Sequence, residues 1–281
     1  MRMGKERRYI AERNIELCFP EKTAEQRAEI VKESFAGAGM ALFESGFVWW
    51  PQKRLTNMVD IIGLEHLEKA RASGQNVLMF TPHNTSLEAC FSQLSMHEKL
   101  NILFRVHDNP FWEYMSGRGR RNFRLRLIPR KQVKEFLHFL STGRTGLIAA
   151  DQDLSKRRGV FVPFFGIQAS TVTSVSDFCR QTNSVAMLVS GYRRPGKGYT
   201  VEIRPPLENF PTDDVIADTA RVSLVTEQAI REQPGDYLWH HRRFKTRPDG
   251  EEPLYERQKK RKKSKRRRAQ KEKDKITLKQ Q

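Results

Sequence analysis

The stretch that decides the fold is Asn76-Val77-Leu78-Met79-Phe80-Thr81-Pro82-His83-Asn84-Thr85-Ser86-Leu87-Glu88. Its first six residues form a short apolar run of the kind that makes a buried strand, and Ser86–Met96 suits a helix. The same alternation continues on both sides. Helical spacing runs over Ala24–Phe47, His66–Ser73, Lys131–Leu140, Val172–Arg180 and Val215–Glu232. Extended patterning covers Leu100–Val106, Gly146–Ala150 and Val185–Tyr192, with Thr200–Arg204 read as an edge strand. Strands alternating with helices imply an α/β protein whose sheet is substantially parallel. No internal repeat, G-x-G-x-x-G or P-loop pattern occurs, so a nucleotide-binding fold has no positive support.

Length and composition bound the rest. The 281 residues can bury a sizeable core. The net charge of +18 requires an anionic partner: nucleic acid, an anionic membrane surface, or an acidic protein or ligand. From Glu256 onward there are 14 Lys and Arg against 3 acidic residues, a net of +11 that leaves +7 on the body. A body of residues 1–255 and a basic, disordered tail of residues 256–281 are therefore expected, since the tail has almost nothing apolar to bury. Such a tail suits anionic lipid headgroups and non-specific RNA contact equally well. Cys18, Cys90 and Cys179 are far apart, which argues for a reducing compartment without a zinc site or disulfide framework. No stretch approaches the ~20 apolar residues of a membrane span, and no signal-peptide core is seen, so a cytoplasmic location is expected.

In an open α/β sheet the functional groups gather at the carboxyl ends of the strands. Two such segments carry polar residues. In the first, His83 follows a buried strand and Glu88 falls in the first turn of the next helix, a spacing that lets the carboxylate reach the imidazole. His83 would then act as a general base toward an acceptor hydroxyl attacking a thioester, with Glu88 fixing the tautomer. The spacing alone serves equally for a helix N-terminus in which Glu88 meets the dipole. The second segment, Asp151-Gln152-Asp153, offers two acids able to hold a substrate, orient a base, or merely cap a turn.

Seven segments follow one another in a recognisable order. They are His83–Glu88, Asp108-Asn109-Pro110, Gly117-Arg118-Gly119-Arg120, Ile128-Pro129-Arg130, Asp151-Gln152-Asp153, Val160–Gly166 and Trp239–Pro248. In this the chain resembles the bacterial late acyltransferases of lipid A biosynthesis, and within them the Kdo-dependent lauroyltransferase branch, over roughly Ala11 to Tyr255. The resemblance implies a glycerolipid-acyltransferase-like mixed sheet flanked by helices, with a helical N-terminal portion. It implies transfer of a lauroyl- or myristoyl-class chain from acyl carrier protein to a hydroxyl of a Kdo-lipid A precursor. His83 and Glu88 match the family's catalytic H-x4-D/E dyad. Arg118, Arg120 and Arg130 match basic positions for acceptor phosphates or carboxylates, and Asp151 and Asp153 an acidic substrate-binding block.

The Val160–Gly166 run fits a wall of the acyl pocket, although a buried strand would look the same, and Phe161, Phe164 or Phe165 would set chain length. Arg242, Arg243, Lys245 and Arg247 would contact headgroups or make structural ion pairs. Neither metal nor cofactor is required, because a base and oxyanion stabilisation suffice. The implied partners are acyl carrier protein, an anionic glycolipid and the cytoplasmic face of the inner membrane, with no specific nucleic acid. The apolar anchoring helix usual before the segment matching Arg7–Asn14 is not in this sequence, so either the true start lies upstream or this form is expected to attach peripherally, by its basic surface and apolar patches. Two rivals stand beside this reading: an acyltransferase acting on glycerol phosphate, and an RNA-binding protein driven by the tail.

Overall fold

The computed structural model describes residues 2–49, 58–120, 123–155 and 159–255, so the basic tail lies outside the described residues. Strand β2 (Asn76–Thr81) occupies the middle of the sheet, and its side chains show why the run reads as continuously apolar. Val77 and Met79 point to one face, where α3 (Leu64–Ala72) and α4 (Leu87–His97) cover them. Leu78 and Phe80 point to the other face, toward α6 (Val133–Ser141), α7 (Ser174–Thr182) and α8 (Val215–Glu232). A strand covered on both faces has no solvent side and hence no polar alternation.

Around β2 run β1 (Val59–Ile62), β9 (Gly198–Ile203), β8 (Ser184–Arg194), then β2, β5 (Thr145–Ala149), β3 (Leu100–Phe104) and β4 (Leu125–Pro129), seven strands in that spatial order. All neighbours are parallel except β8 and β9, which form an antiparallel hairpin. The protein is thus mixed α/β with a sheet flanked by helices. The expectation that Thr200–Arg204 forms an edge strand is corrected: β9 is interior, because the four-residue β1 pairs along its outer side. That strand is too short and too polar at Asp60 to stand out in the sequence.

The N-terminal helices α1 (Arg2–Cys18) and α2 (Ala24–Trp49) join a second antiparallel hairpin, β6 (Val160–Phe164) and β7 (Ile167–Thr171), and the C-terminal segment in one aromatic core. Phe19, Phe165 and Trp239 meet edge to face there, with centroids 5.1–6.0 Å apart. Phe164 and Phe165 are therefore core residues, and the Val160–Gly166 run packs on α8 and, through Phe165, on Phe19 and Trp239, rather than forming an acyl-pocket wall. α1 escapes detection by sequence because its surface is dense with charge, yet Ile10, Ala11, Asn14, Ile15 and Cys18 form one buried helical stripe. α5 (Pro110–Arg120) begins where Asn109 Oδ1 accepts from the amides of Phe111 and Trp112, with Pro110 in the first turn.

Gly191, in β8, sits where α4 presses closest on the sheet: a Cβ there would lie 2.6 Å from both Cβ and Sγ of Cys90. Its carbonyl also accepts from Asn84 Nδ2 at 2.8 Å and Ser86 Oγ at 2.7 Å. Gly191→Ala should destabilise the fold by about 1–3 kcal/mol in denaturant titration. Cys90→Ala, which removes the Sγ, should recover part of that loss; an additive pair of effects would place the strain elsewhere.

Candidate active site

The parallel strands end on a cavity of about 1240 Å³, which Thr81, His83, Phe104 and Ala149 reach from β2, β3 and β5. Its walls are largely apolar (Leu87, Phe91, Leu103, Leu127, Ile148 and Phe178 among them), with Glu88, Arg105, Arg120, Arg130, Lys131, Asp153, Asp177 and Lys245 as charged lining. An apolar cleft with few charges fits a chain-bearing ligand with an ionic end.

His83 stands at its wall with 27% of its side chain open. The ring Nδ1 is hydrogen-bonded to Asp151 Oδ1 in a very short contact, and the His83 amide donates to Asp151 Oδ2 at 3.0 Å. Tyr237 Oη donates to the same Oδ2 at 2.8 Å. Asp151 is buried, so this carboxylate has traded water for three protein donors. The side-chain contact fixes the tautomer with a proton on Nδ1, leaving Nε2 toward the cavity without a protein partner among the described residues.

The backbone around His83 is held from outside the sheet. The His83 carbonyl accepts from the Leu238 amide at 2.9 Å, and the Thr85 amide donates to the Asp236 carbonyl at 2.7 Å. Asn84 and Tyr237 thereby form a β-bridge between the turn and the C-terminal segment. Arg193 braces the same turn through Thr85 Oγ1 at 2.6 Å and the Thr85 carbonyl at 2.9 Å, while pairing with Glu44 and Asp236.

The carboxylate found at the imidazole is Asp151, so the expectation that Glu88 fixes the tautomer is corrected. Glu88, in the first turn of α4, instead takes Nε and Nη2 of Arg120, both at 2.7 Å. The pair lies on the cavity wall, and this side-on fork leaves Nη1 of Arg120 without a protein hydrogen bond among the described residues. Arg130 is exposed and also lines the cavity. Arg118 is exposed on α5 and is not part of the lining.

Asp153 is buried and accepts from the Thr246 amide at 2.6 Å and its hydroxyl at 2.9 Å, which makes it an anchor for the C-terminal run. In that run Arg242 pairs with Glu6, Arg243 is buried against Ser170, Thr171 and the Phe164 ring, and Arg247 pairs with Glu251. Only Lys245 among these four basic residues lines the cavity. Sequence reasoning missed Tyr237 and Arg193, whose signals are weak: a lone tyrosine two residues before a recognised run, and one arginine in an arginine pair.

Electrostatics set the roles. Burial works against a charged His83, but the charge and hydrogen bond of Asp151 outweigh it and raise the imidazole above its ordinary value. Burial likewise opposes ionised Asp151, yet His83 and Tyr237 hold it well below the usual carboxylate range. Burial pushes Tyr237 well above the usual phenol value, so it stays a donor. The thiols of Cys90 and Cys179, pushed by burial up to about 12, are no nucleophiles at neutral pH. With its pKa raised, His83 is a free base only above that value, so a reaction needing the base gains rate as pH rises through it. Asp151→Asn removes the attractive charge and leaves the desolvation. The His83 pKa should then fall below its ordinary value, which an NMR titration of the histidines would register; an unchanged pKa would mean that Asp151 does not control the imidazole.

The family model for bacterial lipid A biosynthesis acyltransferases matches residues 1–246. The lipid A biosynthesis lauroyltransferase of Escherichia coli K12 is 35% identical over 253 residues, covering 89% of this chain and 83% of that protein. The palmitoleoyltransferase of the same organism is 34% identical over 254 residues, with the same coverage of each. Its lipid A biosynthesis myristoyltransferase is 29% identical over 261 residues, covering 91% of this chain and 80% of that protein. With the match spanning every segment that builds the cavity, this chain belongs to the bacterial lipid A biosynthesis acyltransferase family and is an acyltransferase.

Proposed function

We propose that the protein transfers a lauroyl- or myristoyl-class chain from acyl carrier protein to a hydroxyl of a Kdo-lipid A precursor, at the cytoplasmic face of the inner membrane. The observation that carries this reading is the His83 imidazole, its Nδ1 held by Asp151 and its Nε2 at the wall of an apolar cavity with cationic edges.

In this mechanism His83 Nε2 takes the proton of the acceptor hydroxyl as its oxygen bonds to the thioester carbonyl carbon. The carbonyl electrons move onto oxygen, then return as the C–S bond breaks, and the departing sulfur takes the proton from the imidazolium. Asp151 stays ionised throughout and stabilises the imidazolium, which is the division of labour of a Ser-His-Asp site with the hydroxyl supplied by the substrate. Glu88 acts through Arg120, holding the guanidinium so that Nη1 meets an anionic group of the substrate. Arg130 and Lys131 at the cavity, and the excess positive charge of the whole chain, favour an acidic donor protein and an anionic glycolipid. Among the described residues no helix is long and apolar enough to cross a membrane.

The test is acyl transfer from a panel of acyl carrier protein thioesters to Kdo-lipid A precursor and, in parallel, to glycerol phosphate. His83→Ala should lower transfer by about 10²–10⁴-fold, the usual range for loss of a general base. Transfer that survives in a folded His83→Ala protein would remove the mechanism, and transfer to glycerol phosphate alone would replace the acceptor. Glu88→Ala and Arg120→Ala should each raise KM for the acceptor. Because they act as a unit, the double variant should be little worse than either single one. Strict additivity would mean that the two residues serve separate purposes.

A further inference from the structure

A second histidine shares the cavity. His241 lines it together with His83 and Lys245. Its backbone is pinned, since the His241 carbonyl accepts from Asn14 Nδ2 at 2.7 Å and from the Arg243 amide at 2.9 Å. The ring is not: Nε2 is shut off from solvent with no partner, while Nδ1, the ring nitrogen open to the cavity, also takes part in no hydrogen bond among the described residues. His241 is half-buried, yet a ring nitrogen shut off from solvent without a partner is unusual, because buried polar groups are nearly always satisfied. Fixing the backbone so firmly while leaving the ring unsatisfied suits a group whose partner arrives with the substrate.

The two histidines are set in opposite senses. The charged neighbours of His241 are Asp151, His83, Arg243 and Lys245. Burial dominates among these influences and brings its pKa down to about 4, so at neutral pH the ring is uncharged. Among the described residues no carboxylate is hydrogen-bonded to the ring to orient it, so it is a poor base, but a neutral imidazole still donates one N–H. A site that holds one histidine for proton transfer and keeps another neutral as an electrophile divides acid–base labour by environment.

We propose that His241 donates the hydrogen bond that stabilises the negative charge on the thioester carbonyl oxygen during acyl transfer. This rests on the reaction proposed above and supplies its missing oxyanion donor. As the acceptor oxygen bonds to the carbonyl carbon, the π electrons move to the carbonyl oxygen, which the ring N–H meets. When the C–S bond breaks the electrons return and the hydrogen bond relaxes, with no proton exchanged by His241.

The experiment compares the full chain with His241→Leu and His241→Asn in the same thioester assay. His241→Leu should lower kcat by about 10²–10³-fold, the usual effect of losing one oxyanion donor, with KM changed little. His241→Asn, whose amide N–H does not titrate, should restore about tenfold of that loss or more. A purely structural histidine would not be rescued in kcat by asparagine. Unchanged kcat in a folded His241→Leu protein overturns the proposal, and if His83→Ala is inactive in that same assay the general-base reading stands alone. A second measurement does not depend on turnover. In 15N-histidine spectra of the wild-type chain, dodecylphosphonate, an anionic mimic of the tetrahedral centre, should shift the His241 ring N–H downfield. No shift at saturating phosphonate overturns the assignment even if leucine at 241 prevents folding. If the wild type transfers no acyl group at all, the functional reading fails, and the phosphonate shift separately decides whether His241 is an anion donor.

Discussion

A carboxylate with almost no contact with water must be answered by donors, and the structure is arranged around that requirement at Asp151. Unpaired, such a charge would cost several kcal/mol, about what breaking a buried pair costs in other proteins. Its two oxygens are met by the imidazole and amide of His83 and by the phenol of Tyr237. The carboxylate and its donors come from three separate stretches: the loop after β5, the turn after β2 and the segment after α8. Satisfying one buried charge thus brings the candidate base, its partner and the last part of the body into register.

The sheet prepares that meeting. Because β2 and β5 run parallel and adjacent, with Thr81 beside Ala149, the residues that follow each strand emerge at the same edge. Helices on both faces leave that edge as the open part of the layer, and the cavity forms there. A second buried charge, Arg193, secures the His83 turn from the opposite side through Thr85, with Glu44 of α2 and Asp236 as its counterions. The packing leaves little slack: a Cβ at Gly37 would lie 2.6 Å from Thr85 Oγ1. Rigid support of this kind is what a base needs to keep its geometry through a reaction.

Much of the scaffold was legible because it rests on local periodicity. The strand Asn76–Thr81 and the helix Val215–Glu232 have the limits that their patterns predict, and the position of His83 beyond a buried strand follows from the first of them. What sequence spacing could not supply was the pairing of side chains across the fold. Glu88 lies five residues from His83 and Asp151 sixty-eight, yet the distant acid meets the ring, because neighbouring strands align their ends regardless of the chain between them. The phenylalanines after Val160 show the opposite failure. An apolar run looks alike whether it faces a ligand or a core, and Phe164 and Phe165 are buried against Phe19 and Trp239. Helix α1 was hidden for a third reason: one narrow apolar stripe is easily lost among so many charged neighbours.

The Asn84–Tyr237 bridge carries a consequence for how the protein is made. The final strap of the site comes from residues 236–241, so ribosomal synthesis delivers it after every strand of the sheet. Until then Asp151 lacks its phenol donor and the His83 turn lacks its backbone partners at Asp236 and Leu238. A nascent chain can complete its sheet while its imidazole is still unfastened. Competence for chemistry therefore arrives last, as a property of the finished body, and a chain cut short before the strap has a scaffold but no tuned base.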